Sequence, residues 1–304
     1  MTVKPVKNHA KVCIIISVSI MVIALILTLC GRGINLGIDF EGGLSMQYDL
    51  KKPAQKADIE GILKGMGIKS YTLAVQGDEG HSINIRIKDV AEGESEKVES
   101  EFSEKLKSVY PEAERTGDVN YVGPVAGASL IRNAVISVLI AAALMLIYIA
   151  IRFDLYSGLA AVLGLVHDVL IMLSFMVILR DILQMNSSFI AAMLTIVGYS
   201  INNTIIIFDR IRSNAKKLPQ IPRAEVAGIS IRECLGRTLC TTATTLLTIV
   251  ALCVFGVTSI REFALPIIIG ILSGVYSANM INGFVWAFFE ERRRAKKTLR
   301  RKSR

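Results

Sequence analysis

A histidine and an aspartate, His167 and Asp168, lie side by side in the middle of a long apolar stretch of this sequence. If that stretch crosses a membrane, a carboxylate at its centre costs about 2.5–3.5 kcal/mol, so the side chain must face other helices or water. A carboxylate that alternates between wet and dry surroundings can take up and release a proton. The pair therefore predicts an ion or proton relay, and the alternative is a hydrogen-bonded polar clamp between helices.

Two further groups of polar residues interrupt apolar stretches nearer the C-terminus. Asn202 and Asn203 are adjacent amides, which need hydrogen-bond partners in lipid and can hydrate an ion path, but cannot exchange a proton at neutral pH. Arg237 is followed by five threonines within eight residues. Their hydroxyls either bond to carbonyls of their own helix or, with the arginine, line a hydrated cavity. These residues join His167 and Asp168 as candidates for the relay.

The elements that would position these residues are long apolar helices. Mean hydropathy is +0.50, 52% of the residues are hydrophobic and 20% are charged, which excludes a disordered chain and an ordinary soluble protein. Six stretches are long enough to cross about 30 Å of hydrocarbon, which predicts a polytopic α-helical membrane protein. The predicted spans are Val12–Cys30, Asn133–Ile151, Tyr156–Leu179, Ser187–Phe208, Leu239–Val257 and Phe263–Phe289. The first is too long for a signal-peptide core, so we interpret it as a retained anchor.

Charge is distributed unevenly along the chain. Between Gly31 and Val125 acidic residues outnumber basic ones by 17 to 12, although the whole chain carries a net charge of +9. Lys and Arg of short loops stay in the cytoplasm, and placing both termini there puts 20 of them inside and three outside. The predicted order is a cytoplasmic N-terminus at 1–11, a first helix at 12–30, an extracytoplasmic domain at 31–125, a five-helix bundle at 126–289 with a cytoplasmic loop at 209–238, and a basic cytoplasmic tail at 290–304.

Several classes of function lack support in the sequence. The motifs include no nucleophile–base pair, no phosphate-binding glycine loop and no metal-ligand spacing, and the five cysteines lie in or beside apolar stretches. We therefore predict neither an enzyme nor a metal or other cofactor. The basic excess flanks the apolar stretches, so we expect it to hold span ends against anionic lipid and predict no nucleic-acid binding.

The segment between the first two spans predicts a small α+β domain. Alternating apolar residues from Leu44 to Leu50 indicate a strand, and a charged helix with an i,i+4 pair between Glu101 and Lys105 follows later. The full set of predicted elements is strand 44–50, helix 58–66, strands 71–75 and 83–87, helix 94–109 and an extended segment ending near residue 122. This β-α-β-β-α-β order is typical of a ferredoxin-like fold, which hosts many functions.

Small residues recur every four positions in the last predicted span, at Gly270, Gly274 and Ala278. Residues at this spacing share one face of a helix, and their small size lets another helix approach closely. The pattern predicts a helix-packing seam and not a chemical site.

Taken together, these motifs resemble the SecF family of protein-export membrane proteins, which belongs to the RND-like superfamily. The resemblance covers nearly the whole chain, in order and with the expected six spans. It rests on Gly37 to Gly43 after the first span, on Val122 to Pro124 before the second, on His167 and Asp168, on Gly198 to Asn202, on Phe208 to Arg212, and on Arg237 with the threonine-rich run after it.

The resemblance implies half of an RND-like transporter, whose bundle pairs with that of SecD in the bacterial plasma membrane. In this family a proton or sodium gradient moves the extracytoplasmic domains, which help to draw preproteins out of the SecYEG channel. The implied partners are SecD, SecYEG, an exported preprotein, membrane lipid and a YidC-type insertase. The only cofactor implied is a coupling ion, H⁺ or Na⁺.

Single positions can be carried over from the family to this chain. Asp168 matches the third-span acid and Arg237 the fifth-span cation. Asp39, Gly42 and Gly43 match the motif at the start of the domain, where glycines permit a tight turn.

One position departs from the family pattern. The fourth span usually contains Asn-Asp, whereas this chain has Asn202-Asn203, so the titratable carboxylate associated with ion coupling is replaced by an amide. We expect coupling to rest on Asp168 and on a carboxylate of SecD, or the path to carry sodium, for which an amide oxygen can be a ligand.

Two other functions fit the same residues. A half-size RND-type exporter of small molecules or lipids would use the same polar residues within its spans. A passive assembly scaffold of the translocon would use no ion gradient at all, and Asn203 makes this alternative less remote.

Overall fold

The computed structural model describes residues 6–76, 80–88, 90–91, 93–116, 119–256 and 258–302. Lys4 of the predicted N-terminus, Val257 at the end of the predicted fifth span and the last two residues of the tail lie outside this range. The chain divides into two compact units. We call Met1–Asn35 with Ile136–Arg304 the helical unit, and Leu36–Val135 the α/β unit.

The elements follow one another with short connections. In chain order they are α1 (Ala10–Leu29), α2 (Ile38–Glu41), β1 (Gly43–Asp49), α3 (Lys56–Gly65), β2 (Tyr71–Gln76), β3 (Ser82–Ile87), α4 (Ser95–Val109), β4 (Glu114–Arg115), β5 (Asn120–Val122), α5 (Pro124–Arg152), α6 (Leu155–Ile178), α7 (Ser187–Lys217), α8 (Arg223–Phe255), α9 (Thr258–Ser277), a π-helical turn (Ala278–Asn282) and α10 (Gly283–Lys302).

Six helical segments of the described chain are long and apolar enough to cross a membrane. In the most apolar 18-residue stretch of α5 no residue is buried inside the chain. In the corresponding stretches of α1 and α8 only 11% of the residues are buried. Apolar surface on that scale is stable against lipid or against other apolar helices and not against water. The chain is therefore a multi-pass α-helical membrane protein, as predicted. The limits of its membrane-embedded parts remain predictions.

The segment 209–238, predicted as a cytoplasmic loop, is mostly helical. α7 continues to Lys217 and α8 begins at Arg223, so the connection itself is only 218–222. Polar contacts stabilise these helix extensions, since Arg210 donates to Glu233 at 2.6 Å and Asn214 donates to the same carboxylate at 2.6 Å. Hydropathy detects where a helix leaves the apolar region, but it does not detect where the helix ends.

Side-chain caps fix the start of two helices of the bundle. The Asp154 carboxylate accepts hydrogen bonds from the Ser157 amide and hydroxyl at the start of α6, and the Asn186 side chain accepts from the Phe189 amide at the start of α7. Such caps satisfy amides that have no partner within their own helix. The register of both helices is thus set by polar residues just before their apolar runs.

The α/β unit contains the predicted strands and helices in the predicted order, together with the short α2 and β4. The strand order is β2-β3-β1-β4, with β5 also paired to β1, and every pair is antiparallel. Because β3 is antiparallel to both of its neighbours, β1 and β2 run in the same direction with β3 between them. This is the split β-α-β arrangement of a ferredoxin-like fold, which confirms the predicted class.

The core of the α/β unit lies between the sheet and the helices α3 and α4. Leu44, Met46 and Tyr48 of β1 point to this side and are at most 1% exposed, together with Phe102 and Leu106 of α4. The alternation of buried and half-buried residues along β1 follows from the two-residue period of a strand.

Candidate functional site

The predicted acid, Asp168, is fully buried in the helical unit and accepts hydrogen bonds on both carboxylate oxygens. Ser200 of α7 and Ser277 of α9 donate to Oδ2 at 2.5 and 2.8 Å. Ser273 of α9 donates to Oδ1 at 2.8 Å, and His167 Nδ1 lies 2.9 Å from the same oxygen. A carboxylate has room for about four hydrogen-bonding partners, and these four side chains can fill that room. The Ser277 hydroxyl also lies 3.2 Å from the Gly274 carbonyl of its own helix.

His167 connects this carboxylate to the first helix of the chain. Its Nε2 lies 2.7 Å from the Ser17 hydroxyl of α1, which is 2% exposed. The Tyr276 hydroxyl of α9 donates to the Cys13 carbonyl of α1 at 2.8 Å, and the Tyr276 and His167 rings stack with centroids 6.2 Å apart. The site therefore joins α1, α6, α7 and α9.

Close helix packing brings these groups together. At Gly270 a Cβ atom would collide with Ile196 of α7, and at Gly274 it would lie 3.2 Å from the Ser200 backbone. Ala278, the third residue of the predicted seam, is completely buried. Because α9 approaches α7 this closely, the short serine side chains of both helices reach the same carboxylate.

Asn203 lies one turn from Ser200 and is also fully buried. Neither its Oδ1 nor its Nδ2 has a hydrogen-bond partner among the described residues, and the same is true of the Oδ1 atoms of Asn279 and Asn282. Asn282 Nδ2 donates to Thr204 at 3.0 Å. A buried polar group without a partner costs about 1–3 kcal/mol, so these amides are places where a water or a cation would be stabilised.

The structure does not bring all the relay candidates together. Asn202 of α7 and Arg237 of α8 are exposed at the surface of this chain, whereas Asp168 and Asn203 are buried inside it. A polar side chain exposed along a membrane-spanning helix requires a partner from outside the bundle. The candidates therefore form an inner group and an outer group.

Asp39, Gly42 and Gly43 belong to the α/β unit, whereas the buried cluster belongs to the helical unit. Asp39 lies in α2, and the next two glycines have positive φ angles of 78° and 125°. A Cβ atom at Gly43 would collide with the Ile87 carbonyl. These glycines permit the turn between α2 and β1, in keeping with a structural motif.

Sequence reasoning missed the serines of the cluster. Ser17, Ser200, Ser273 and Ser277 are at most 6% exposed, and each contacts Asp168 or His167. A serine in an apolar helix can bond to its own backbone, so its presence alone does not mark a site. The signal that could have found three of them is spacing, since Ser200 stands in the motif after Gly198 while Ser273 and Ser277 share a helix face.

Among the described residues no group of three or more His, Cys, Asp or Glu side chains could hold a metal ion. The helices, the α/β unit and the serine-bound carboxylate thus define a multi-pass membrane protein with an ionisable group in its core. Comparison with known proteins identifies its family. The model "Protein export membrane protein SecD/SecF, C-terminal" matches residues 101–292, and the model "SecD/SecF GG Motif" matches residues 28–54. The chain belongs to the SecD/SecF family.

Curated relatives agree along most of the chain. The protein translocase subunit SecF of Rickettsia felis is 36% identical over 267 residues, which cover 88% of this chain and 86% of that protein. The SecF of Sebaldella termitidis is 37% identical over 262 residues, 85% of this chain and 83% of that protein.

Two solved structures share the fold. The crystal structure of SecDF from Thermus thermophilus, described as a translocon-associated membrane protein, matches with a TM-score of 0.78 and 32% identity over 94% of this chain. SecDF in a super-membrane-facing form matches with a TM-score of 0.67 and 30% identity over 99% of this chain. The chain spans 39% and 41% of the length of these two SecDF chains.

Proposed function

We propose that this chain is an auxiliary subunit of the Sec preprotein translocase that acts with SecD. It uses an ion gradient to promote late steps of protein export, and it performs no covalent catalysis. Family membership supports the translocase role, and the ion coupling is carried by one observation. That observation is a fully buried carboxylate, Asp168, with donors from three helices converging on it.

In this proposal the coupling ion passes between the inner group of relay candidates, which is buried in the bundle, and the outer group, Asn202 and Arg237, which is exposed. Asp168 and His167 form the inner end, and Arg237 faces a carboxylate supplied by the SecD bundle. Asn203 cannot itself carry a proton. If the path carries sodium instead, the Oδ1 atom of Asn203, which has no hydrogen-bond partner among the described residues, is a ligand for that ion. No other cofactor takes part.

The protein lies in the bacterial plasma membrane with both termini in the cytoplasm. The distribution of Lys and Arg supports this orientation. The α/β unit then works outside the cytoplasm, where it meets the exported preprotein. SecYEG, a YidC-type insertase and membrane lipid are the further partners, and the basic tail contacts anionic lipid.

Reconstitution tests this proposal. Membranes depleted of the protein are supplied with wild type or Asp168→Asn, and preprotein release is measured with and without an imposed ion gradient. Wild type is expected to restore gradient-dependent release and Asp168→Asn to lose it. Asp181→Asn, whose carboxylate is 75% exposed and pairs with Arg32, is the matched control and keeps full release.

A passive scaffold gives the opposite result. If Asp168→Asn restores release as well as wild type does, and collapse of the gradient changes nothing, the polar residues of the spans serve packing only. Recovery of the protein with bound lipid or small molecules, in place of SecD and SecYEG, would instead indicate an exporter.

A further inference from the structure

The sheet of the α/β unit has two edges that differ in length and charge. One edge consists of the short strands β4 and β5, and both residues of β4, Glu114 and Arg115, are charged and exposed. The other edge is β2, which is six residues long and contains neither a charged residue nor a proline. Short strands and charged side chains keep other chains from pairing with an edge, and β2 has neither form of protection.

The register between β2 and β3 shows which backbone groups of β2 face outward. The Lys88 amide donates to the Ser70 carbonyl at 3.0 Å, and these two residues continue the register of the paired strands. Hydrogen-bonded pairs alternate along antiparallel strands, so the residues two and four positions after Ser70 also bond to β3. The amides and carbonyls of Tyr71, Leu73 and Val75 therefore point away from the sheet.

These outward groups are unused within the described residues. No backbone hydrogen bond found there involves the amide or carbonyl of Tyr71, Leu73 or Val75, and no strand pairs with β2 on this side. The side chains of the same three residues pack against the core of the unit, which holds the strand in place. β2 thus presents three donors and three acceptors in an extended row that repeats about every 7 Å.

The partner that fits such a row is another extended backbone. An added strand places its own amides and carbonyls at the same spacing, whatever its side chains are. The edge carries no charge, so it does not select its partner by charge either. A permanent partner buries about 1,200–2,000 Å², more than one edge of six residues provides. The edge therefore suits an extended polypeptide of variable sequence that binds and then leaves.

We propose that β2 binds an extended segment of the exported preprotein by adding it to the sheet as a further strand. This inference rests on the proposed function, which brings the α/β unit into contact with the preprotein, and it names the surface and the chemistry of that contact. Backbone groups make the contact, so it accepts many sequences but not a proline at a paired position. A folded domain has few free extended segments, so the edge favours unfolded polypeptide.

Amide exchange of β2 tests the inference in the wild-type protein. The full-length chain is labelled with ¹⁵N at Tyr, Leu, Val and Thr and placed in lipid nanodiscs. The probe is a ten-residue peptide in which Thr and Val alternate between terminal lysines. At a peptide concentration ten times its dissociation constant, the Tyr71, Leu73 and Val75 amides should exchange about tenfold more slowly. The Thr72 amide, which already bonds to β3, should not change.

The same experiment detects other occupants of the edge. The three outward amides are expected to exchange faster than Thr72 when no peptide is present. The inference is overturned if they are already as slow as Thr72, because the edge is then covered by the chain itself. It is also overturned if they become slow only when SecD is added, or only when the protein concentration is raised, because the occupant is then SecD or a second copy.

Methylated peptides separate backbone recognition from side-chain recognition. A peptide with an N-methyl group on every residue keeps its side chains, but it has no amide donor and cannot approach a strand edge. We expect it to leave the exchange of the outward amides unchanged. A peptide methylated on alternate residues retains one free edge and should protect as the parent peptide does. Protection by the fully methylated peptide would overturn the inference.

A proline at the centre of the edge provides the matching variant of the protein. Leu73→Pro removes the central outward donor and leaves the bonds of its two neighbours to β3 in place, so peptide affinity should fall about tenfold or more. Leu73→Ala keeps the amide while removing most of the same side chain, and it should bind as wild type does. Equal affinity of the two variants would contradict the inference. If Leu73→Pro does not fold, the wild-type exchange pattern and the methylated peptides decide.

The inference and the proposed function can fail separately. The peptide experiments use no gradient, whereas the test of ion coupling uses Asp168→Asn and an imposed gradient. If no peptide protects the outward amides while Asp168→Asn loses gradient-dependent release, the inference fails and the proposed function stands. If the peptide protects these amides while release is independent of the gradient, the ion coupling fails and the binding edge stands.

Discussion

Two buried polar residues of the helical unit have opposite surroundings. Asp168 accepts hydrogen bonds on both oxygens from serines and a histidine, whereas Asn203, one turn from Ser200, has no partner among the described residues. Partners on both oxygens hold the Asp168 carboxyl in place, while an unpartnered buried amide favours a water or cation that can reach it. Asn203, the residue that departs from the family pattern, is therefore also the one whose amide has no hydrogen-bond partner among the described residues.

Replacing Asn203 with Asp tests whether this position can couple to ions. The new carboxylate has no donors prepared for it, so it binds a proton or a cation. We expect Asn203→Asp to increase gradient-dependent preprotein release or to change its preference between H⁺ and Na⁺, measured in proteoliposomes with SecD. Asn203→Ser, which keeps a small polar side chain and adds no charge, is the control for the substitution itself. If Asn203→Asp behaves as wild type with both ions, the position has no coupling role.

Tyr48 of the α/β unit provides a prediction about pH. Burial, and then the charge of Glu99, raises the pKa of Tyr48 to about 12. The folded unit holds the neutral phenol more tightly than the unfolded chain does, so this contribution to stability is complete below pH 10 and is lost as pH approaches 12. The difference between phenolate absorbance titrations of wild type and Tyr48→Phe should contain one tyrosine with a midpoint near 12. A midpoint near 10 would contradict this.

Among the elements, α7 and α9 depend on the smallest residues for their contact. A methyl group at Gly270 collides with Ile196, whereas one at Gly198 of α7 meets no atom within 4 Å. Gly270→Ala should therefore destabilise the helical unit by about 1–3 kcal/mol through overpacking. Gly198→Ala should be neutral or stabilise it by about 0.5–1 kcal/mol. Unfolding in mixed micelles, followed by circular dichroism, measures both, and equal stability of the two variants would exclude a tight seam.

The same steric argument, that an added methyl group would collide with a neighbour, applies to Gly43 in the α/β unit. Its φ of 125° and its contact with the Ile87 carbonyl exclude a side chain, so Gly43→Ala should cost about 2 kcal/mol or more. Hydrogen exchange of the β1 and β3 amides in the full-length protein should increase accordingly. Gly61→Ala in α3, where a methyl group meets nothing within 4 Å, is the matched control. Unchanged exchange in Gly43→Ala would contradict the steric argument.

The types of these elements could be predicted, but not their contacts. Alternation along β1 indicates a half-buried strand and long apolar runs indicate membrane-spanning helices, which is why the types of the elements and the number of candidate spans agree with the structure. α2 and β4 are too short to give a period. Which helix faces meet depends on packing, so Ser17 could not be placed beside His167 from the sequence, and Arg237 could not be separated from Asp168.

For the whole molecule, the exposed surfaces of the helical unit are the ones available to lipid or to a second bundle. The apolar faces of α1, α5 and α8 are exposed in the described chain, and Asn202 and Arg237 lie exposed on α7 and α8. Lipid tails accept the apolar side chains but give no counter-charge to an arginine. Under the proposed function, we expect an acidic residue of the SecD bundle to be this partner.

Loss of the Arg237 charge should therefore weaken SecD binding. Truncating one member of a buried charge pair costs about 2 kcal/mol or more, so Arg237→Gln is expected to lower affinity more than tenfold. Arg237→Lys keeps the charge and should retain most of the binding. Arg232→Gln, an exposed arginine nearer the start of α8, is the matched control. Co-purification with tagged SecD at two detergent concentrations measures the effect. Undiminished recovery of SecD with Arg237→Gln would mean that the apolar faces alone hold the two bundles together.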